Sequence, residues 1–273
     1  MKLILVVLLA TFSYANQRIV TLSPSINEIV YALGAGKSVV GNTQYCMYPK
    51  ESQSVTKVGG YFSPSLEKII ALRPTIVIMQ SSSLKLSKRL NKLGIQTKVL
   101  KIDRLYNIKS SILSIGEIVH KSKEARSIVE NINNSLNELK GIVSNKKILM
   151  VIGHNTSLVK QIFVVGQNLY LDDIINISGN QNALQSKREG QPILNQENII
   201  ALNPDIVILL AHSMKQKGLT KKDLINPWKA LPINAGKNSQ VYIVDKEYSG
   251  IPSHRLILFL RDFKEILLES AHK

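Results

Sequence analysis

Two twelve-residue segments 130 positions apart constrain the fold of this chain more than any other feature. Residues 67–78 read EKIIALRPTIVI and residues 197–208 read ENIIALNPDIVI, identical at nine of twelve positions. Repetition on this scale predicts two related halves. In each copy a short helix (66–72 and 196–202) starts after Ser65 or Asn195 and stops before Pro74 or Pro204, and an unbroken β-branched run follows. Continuous apolar runs such as Ile76-Val77-Ile78-Met79 and 206–210 predict parallel strands buried on both faces, with helices as crossovers.

Further strands are predicted at 19–22, 38–41, 98–102, 147–152 and 241–244, and helices at 27–33, 85–93 and 256–268. Gly34 and Gly94 stop the first two of these helices. Between the halves runs one long helical pattern, 108–143, with apolar positions at Ile112, Ile115, Val119, Ile128, Ile132, Leu136 and Leu139. Its second part, 123–143, is a helix of about 20 residues that would span about 30 Å, enough to cross from one lobe to the other as a stiff strut, so the lobes are expected to move little. The resulting fold class is α/β: two Rossmann-like lobes with parallel sheets, joined by one long interdomain helix. The boundaries read as 1–15 signal peptide, 16–108 N-terminal lobe, 109–143 linking helical segment and 144–273 C-terminal lobe.

The start of the chain bears on compartment. Lys2, the apolar run 3–10 and Ser13-Tyr14-Ala15 form a secretory signal with cleavage after Ala15, too short for a spanning helix. No cysteine follows the run, so a soluble periplasmic protein that is not a lipoprotein is expected. The single cysteine, Cys46, excludes an internal disulfide and a thiolate-rich metal finger. With 35 Lys plus Arg against 19 Asp plus Glu, the formal charge is +16. Export makes nucleic acid an unexpected partner. The lysines read as solvated faces, with attraction to an anionic ligand or membrane as the functional alternative and one small cluster at Lys215, Lys217, Lys221 and Lys222.

In open α/β sheets, ligands bind beyond the carboxyl ends of the strands. That rule selects Tyr45 after the second strand, Ser81-Ser82-Ser83 after the third, and His154 and His212 after strands of the second half. His254 lies in the Gly/Pro-containing loop before the final helix, near the same rim. Three imidazoles converging there would hold an ion or cap a chelate. Tyr61 follows Gly59-Gly60, where backbone approaches closely; Tyr48 is a weaker aromatic candidate, and Cys46 reads as a small buried hydrophobe. Arg255 and Arg188 each offer a planar fork for an anionic oxygen, or a plain surface charge. His120, inside the long helical pattern, and His272, at the tail, read as structural or solvent-exposed. Glu67 and Glu197 each occupy the first turn of a repeated helix, where a carboxylate meets the helix dipole favourably.

No nucleophile elbow, phosphate loop or His-Glu-x-x-His pattern is present, and Asp172-Asp173 reads as helix capping. The chain is therefore not expected to be an enzyme or to use a catalytic cofactor. Two readings stay open from the residues alone: a carrier of a bare Zn or Ni ion, and an exported metal-dependent hydrolase using His154, His212 and Asp173.

Arg18-Ile19-Val20-Thr21-Leu22-Ser23-Pro24-Ser25, Asn27-Glu28, Gly34, Tyr45-Cys46-Met47-Tyr48-Pro49, Val58-Gly59-Gly60-Tyr61, Asn226-Pro227-Trp228 and Val241-Tyr242-Ile243-Val244-Asp245 together resemble the periplasmic binding proteins that feed metal-chelate ABC importers. The corrinoid branch of that family is the most similar. The resemblance implies two lobes joined by one helix. It also implies a transported metal chelate (vitamin B12 or another corrinoid, haem, or a ferric siderophore) clasped between the lobes of a monomer, and delivery to an inner-membrane permease dimer with its ATPase. It further implies that Tyr61 stacks on a corrin or, like His254, ligates haem iron. Glu67 and Glu197 would then dock one to each half of the two-fold permease.

Overall fold

The computed structural model describes residues 17–159, 161–186 and 190–273; the expected signal segment and Arg188 fall outside these. The first half contains β1 (Ile19–Thr21), α1 (Pro24–Ala32), β2 (Val39–Asn42), α2 (Leu66–Ala71), β3 (Ile76–Gln80), α3 (Leu84–Lys92) and β4 (Gln96–Leu100). Its strands are all parallel, in the order β2-β1-β3-β4. The two inner strands are the apolar ones: every residue of β1, and of β3 up to Met79, is buried. Helices cover both faces, as the continuous apolar runs require.

Two helices follow, α4 (Leu105–Ile118) and α5 (Ser122–Asn137). The second half then comprises β5 (Lys147–Ile152), β6 (Ile162–Val164), α6 (Tyr170–Ile177), β7 (Gln181–Asn182), β8 (Ile193–Leu194), α7 (Gln196–Leu202), β9 (Ile206–Leu210), α8 (Lys221–Lys229), α9 (Asn234–Lys237), β10 (Val241–Val244) and α10 (Leu256–Ala271). Strand order is β10-β9-β5-β6-β8, with β7 added beside β5. The sequence repeat is a structural one: α2–β3 and α7–β9 are the same helix–turn–strand unit. Arg73 and Asn203, the residues before Pro74 and Pro204, both take the left-handed conformation, with φ of 45° and 46°. Serine or asparagine opens each helix, for the side chain of Ser65 accepts from the Lys68 N–H and that of Asn195 from the Asn198 N–H.

The α/β class and the two lobes are as expected, while two details differ. The second sheet is mixed, because β6 runs antiparallel to both β5 and β8. These short strands carry little periodic signal, which is why the sequence shows only the long parallel ones. The linking segment is also two helices rather than one rod. It breaks at His120, whose φ of 57° ends the first helix without glycine or proline, and α5 folds back along α4. Lys109 Nζ donates to Asn133 Oδ1 at 2.9 Å. At the turn, a Cβ on Gly116 would meet that of Ala125 at 2.4 Å, so only glycine permits this approach.

The hairpin fills the space between the sheets. One buried apolar cluster runs from Ile19, Ile29 and Ile78 through Ile112 and Ile132 to Ile148, Ile208 and Phe259. Polar bonds add to it at the start of α4: Arg104 pairs with Asp173, the Leu105 N–H donates to Asp173 Oδ2 at 2.9 Å, and the Tyr170 N–H donates to Asp103 O at 2.6 Å. A continuous core of this kind resists hinge motion, since packed interiors deform little.

Candidate functional site

The carboxyl ends of all four strands in the first sheet open onto one cavity of about 710 Å³. Pro24 and Ser25 line it after β1, Tyr45 after β2, Gln80 and Ser81 at the end of β3, and Ile102 and Asp103 after β4. Tyr61 and Phe62 reach in from the loop before α2. Leu169, Tyr170, Gln191 and the turn Gly250-Ile251-Pro252 form the facing wall, from the second lobe. The walls are thus largely apolar and aromatic, with a few polar groups among them.

Local sequence explains the aromatic rim. Gly59 has φ of 120°, and a Cβ there would lie 2.7 Å from Ser63 O, so the loop closes tightly on a residue that must be glycine. Its tip carries Tyr61 and Phe62, whose rings meet edge to face at 4.7 Å. The Tyr61 hydroxyl donates to Gln80 Oε1 at 2.8 Å, and Gln80 Nε2 donates to Ser23 Oγ at 2.7 Å. This chain fixes the ring of Tyr61 in the cavity wall. Phe62 is 90% exposed and Tyr45 56% exposed, which is unusual for large aromatic side chains unless something covers them.

The remaining sequence candidates lie elsewhere. His154 and His212 do stand at strand ends, with rings 6.0 Å apart, but neither lines the cavity. His154 Nε2 contacts His212 O at 2.6 Å and its Nδ1 contacts Lys217 Nζ at 3.3 Å, an arrangement in which Nε2 carries the proton and Nδ1 accepts from the ammonium. Arg255 does not offer its fork to a ligand: it is buried, bonded to Glu28 and Glu247, and lies over the Tyr48 ring. His254 sits beside it, with Nδ1 buried and lacking a hydrogen-bond partner among the described residues. Burial, and then the neighbouring Arg255 charge, push its pKa down to about 4, so the imidazole is neutral. The three imidazoles therefore do not converge. Among the described residues no group of three or more His, Cys, Asp or Glu side chains gathers where it could hold a metal ion. Asp173 is committed to Arg104 and the start of α4, apart from both strand-end histidines.

Cys46 is fully buried against the Thr43 hydroxyl, and burial pushes its thiol up. Glu67 and Glu197 are exposed, one in the first turn of each repeated helix. The carboxyl of Glu67 is held below the usual range by its own backbone N–H and then by the Ser65 hydroxyl. Sequence reasoning missed Phe62, Ile102, Asp103 and Tyr170, and placed the loop holding Gly250–Pro252 near the rim for the sake of His254 rather than of the turn itself. Applying the strand-end rule to β4 would have found the second and third of these.

A family model for periplasmic binding proteins matches residues 19–248. The chain belongs to the periplasmic binding protein family. An uncharacterized ABC transporter substrate-binding lipoprotein of Bacillus subtilis, YvrC, is 30% identical over 96% of this chain and 83% of its own length. IsdE, a high-affinity haem uptake system protein of Staphylococcus aureus, is 25% identical over 79% of this chain and 75% of its own. Among solved structures, the periplasmic vitamin B12-binding protein BtuF of Vibrio cholerae superposes with a TM-score of 0.79 at 18% identity, covering 94% of this chain and 98% of that one. The expectation, drawn from the absence of a cysteine after the apolar run, that this chain is not a lipoprotein is contradicted by YvrC, which is described as a lipoprotein.

Proposed function

We propose that this chain is the substrate-binding component of an ABC importer and that it captures a metal chelate between its two lobes. The observation that carries the proposal is the cavity itself: about 710 Å³ at the carboxyl ends of a parallel sheet, lined by Tyr45, Tyr61, Phe62 and Tyr170 and walled by both lobes. Its volume is in the range of small-molecule sites, and aromatic faces suit a large flat macrocycle. The haem and B12 descriptions of IsdE and BtuF support the same class of cargo.

Within that class the lining favours a chelate whose buried face is uncharged or cationic. Asp103 is the one acidic or basic residue among the described lining residues, and the nearby Arg255 is spent on carboxylates. An amide-fringed corrinoid meets this surface better than an anionic ferric catecholate, which leaves charges unpaired. Haem fits if its propionates stay in water. Tyr61 would ligate haem iron only by giving up its bond to Gln80.

Glu67 and Glu197, exposed at equivalent places in the two halves, suit docking to a two-fold symmetric permease, because a pseudo-two-fold surface then offers one charge to each half. Absorbance titration of the purified protein with cyanocobalamin, haemin and a ferric siderophore tests the reading. Saturable binding of one of them supports it. No response to any, together with tight Zn or Ni binding by calorimetry, supports the bare-ion alternative instead.

A further inference from the structure

Directly behind the cavity, the two lobes are joined by a buried ion pair between residues 227 positions apart. Glu28, on α1, is 1% exposed, and Arg255, at the start of α10, is 4% exposed. The guanidinium grips the carboxylate with two donors, Nε to Oε2 at 2.9 Å and Nη2 to Oε1. Ser253 Oγ donates to the same carboxylate at 2.5 Å and accepts from the Arg255 N–H at 3.2 Å. The remaining arm, Nη1, reaches Glu247 Oε1 at 2.7 Å. The guanidinium carbon lies 3.8 Å from the centre of the Tyr48 ring, and the Tyr48 carbonyl accepts from Asn27 Nδ2 at 3.0 Å.

Burying both charges is costly, and a well-packed apolar pair of the same volume is often as stable or more so. Burial works against the charged carboxylate of Glu28, while Arg255 and Ser253 favour it. What the pair supplies, and grease would not, is one fixed geometry. It is placed where geometry matters: Ser25 lines the cavity three residues before Glu28, and Gly250, Ile251 and Pro252 line it just before Ser253 and Arg255. We infer that Glu28 and Arg255 are positioning residues that set the width of the cleft, bolting the Gly250–Pro252 wall of one lobe to α1 of the other without touching the cargo. The inference rests on the cleft being the binding site.

The test separates geometry from stability. Nitroxide labels at Lys68→Cys and Lys222→Cys, exposed positions on opposite lobes, in a Cys46→Ser background, report the distance between lobes in the unliganded protein. The parent is expected to give one narrow distance. Because Arg255→Met alone leaves the buried Glu28 carboxylate uncompensated and destabilises the fold, the decisive variant is Glu28→Met/Arg255→Met. It is expected to melt near the parent temperature, yet to show a broadened distance distribution and about tenfold weaker binding of cyanocobalamin or haemin. A double variant that folds with the parental distance distribution overturns the inference. A parent that binds neither chelate speaks against the proposed cargo alone, since the distance measurement still decides whether the pair is a clamp.

Discussion

Phe62→Ala isolates the contribution of the aromatic rim, because the ring is 90% exposed and touches chiefly Tyr61, edge to face at 4.7 Å. A phenylalanine side chain buries about 150–250 Å² when fully covered, so a macrocycle lying against one face removes about 100 Å² from water. At about 25 cal/mol per Å² this is worth about 2.5 kcal/mol, or roughly a 60-fold loss of affinity on truncation. Stability is expected to change by less than about 0.5 kcal/mol, since little is buried at this position in the free protein. Calorimetric titration of parent and variant with the cognate chelate, alongside thermal unfolding, measures both quantities. An affinity within about threefold of the parent would refute the assignment of Phe62 to the binding face. A large loss of stability would refute the premise that the ring is free.

Other outcomes follow from the same geometry. His154→Ala is expected to leave chelate affinity unchanged, because His154 bonds the His212 carbonyl and Lys217 outside the cavity; faster amide exchange in residues 211–218 is the expected readout. His254 titrates near 4 in the fold against 6.5 for a free imidazole. The unfolded chain therefore takes up this proton first, and stability present above pH 6.5 is lost as pH falls toward 4, by about 3 kcal/mol. His254→Phe should flatten that part of the denaturation-versus-pH curve; an unchanged slope contradicts the assignment. Glu67→Ala with Glu197→Ala should keep chelate affinity and lose stimulation of the reconstituted importer's ATPase, and retained stimulation would remove these residues from docking.

The parallel strands and the duplicated helix–strand unit were legible because both are local. An unbroken run such as Ile206–Leu210 is buried throughout, and Pro74 and Pro204 mark the same turn twice. The break in the linking segment was hidden because His120 is neither glycine nor proline, and the tight approach of Gly116 to Ala125 shows only once α5 folds back. The strand-end rule found Tyr45 and Ser81 but overestimated His154 and His212, which lie at strand ends yet turn to each other. Arg255 was ambiguous for a physical reason: its partner Glu28 is remote in sequence, and nothing near Arg255 in the chain announces a buried carboxylate from the other lobe. Phe62 was overshadowed by its neighbour Tyr61, although an aromatic pair after two glycines is itself a sign of an exposed rim.

Hydrogen–deuterium exchange of the protein with and without bound chelate most directly tests capture between the lobes. Slowed exchange is expected at once in residues 58–64 and 80–83 of the first lobe and in 249–253 of the second, the segments that carry the two walls. Slowing confined to one lobe, or centred on the His154 and His212 loops, would contradict it.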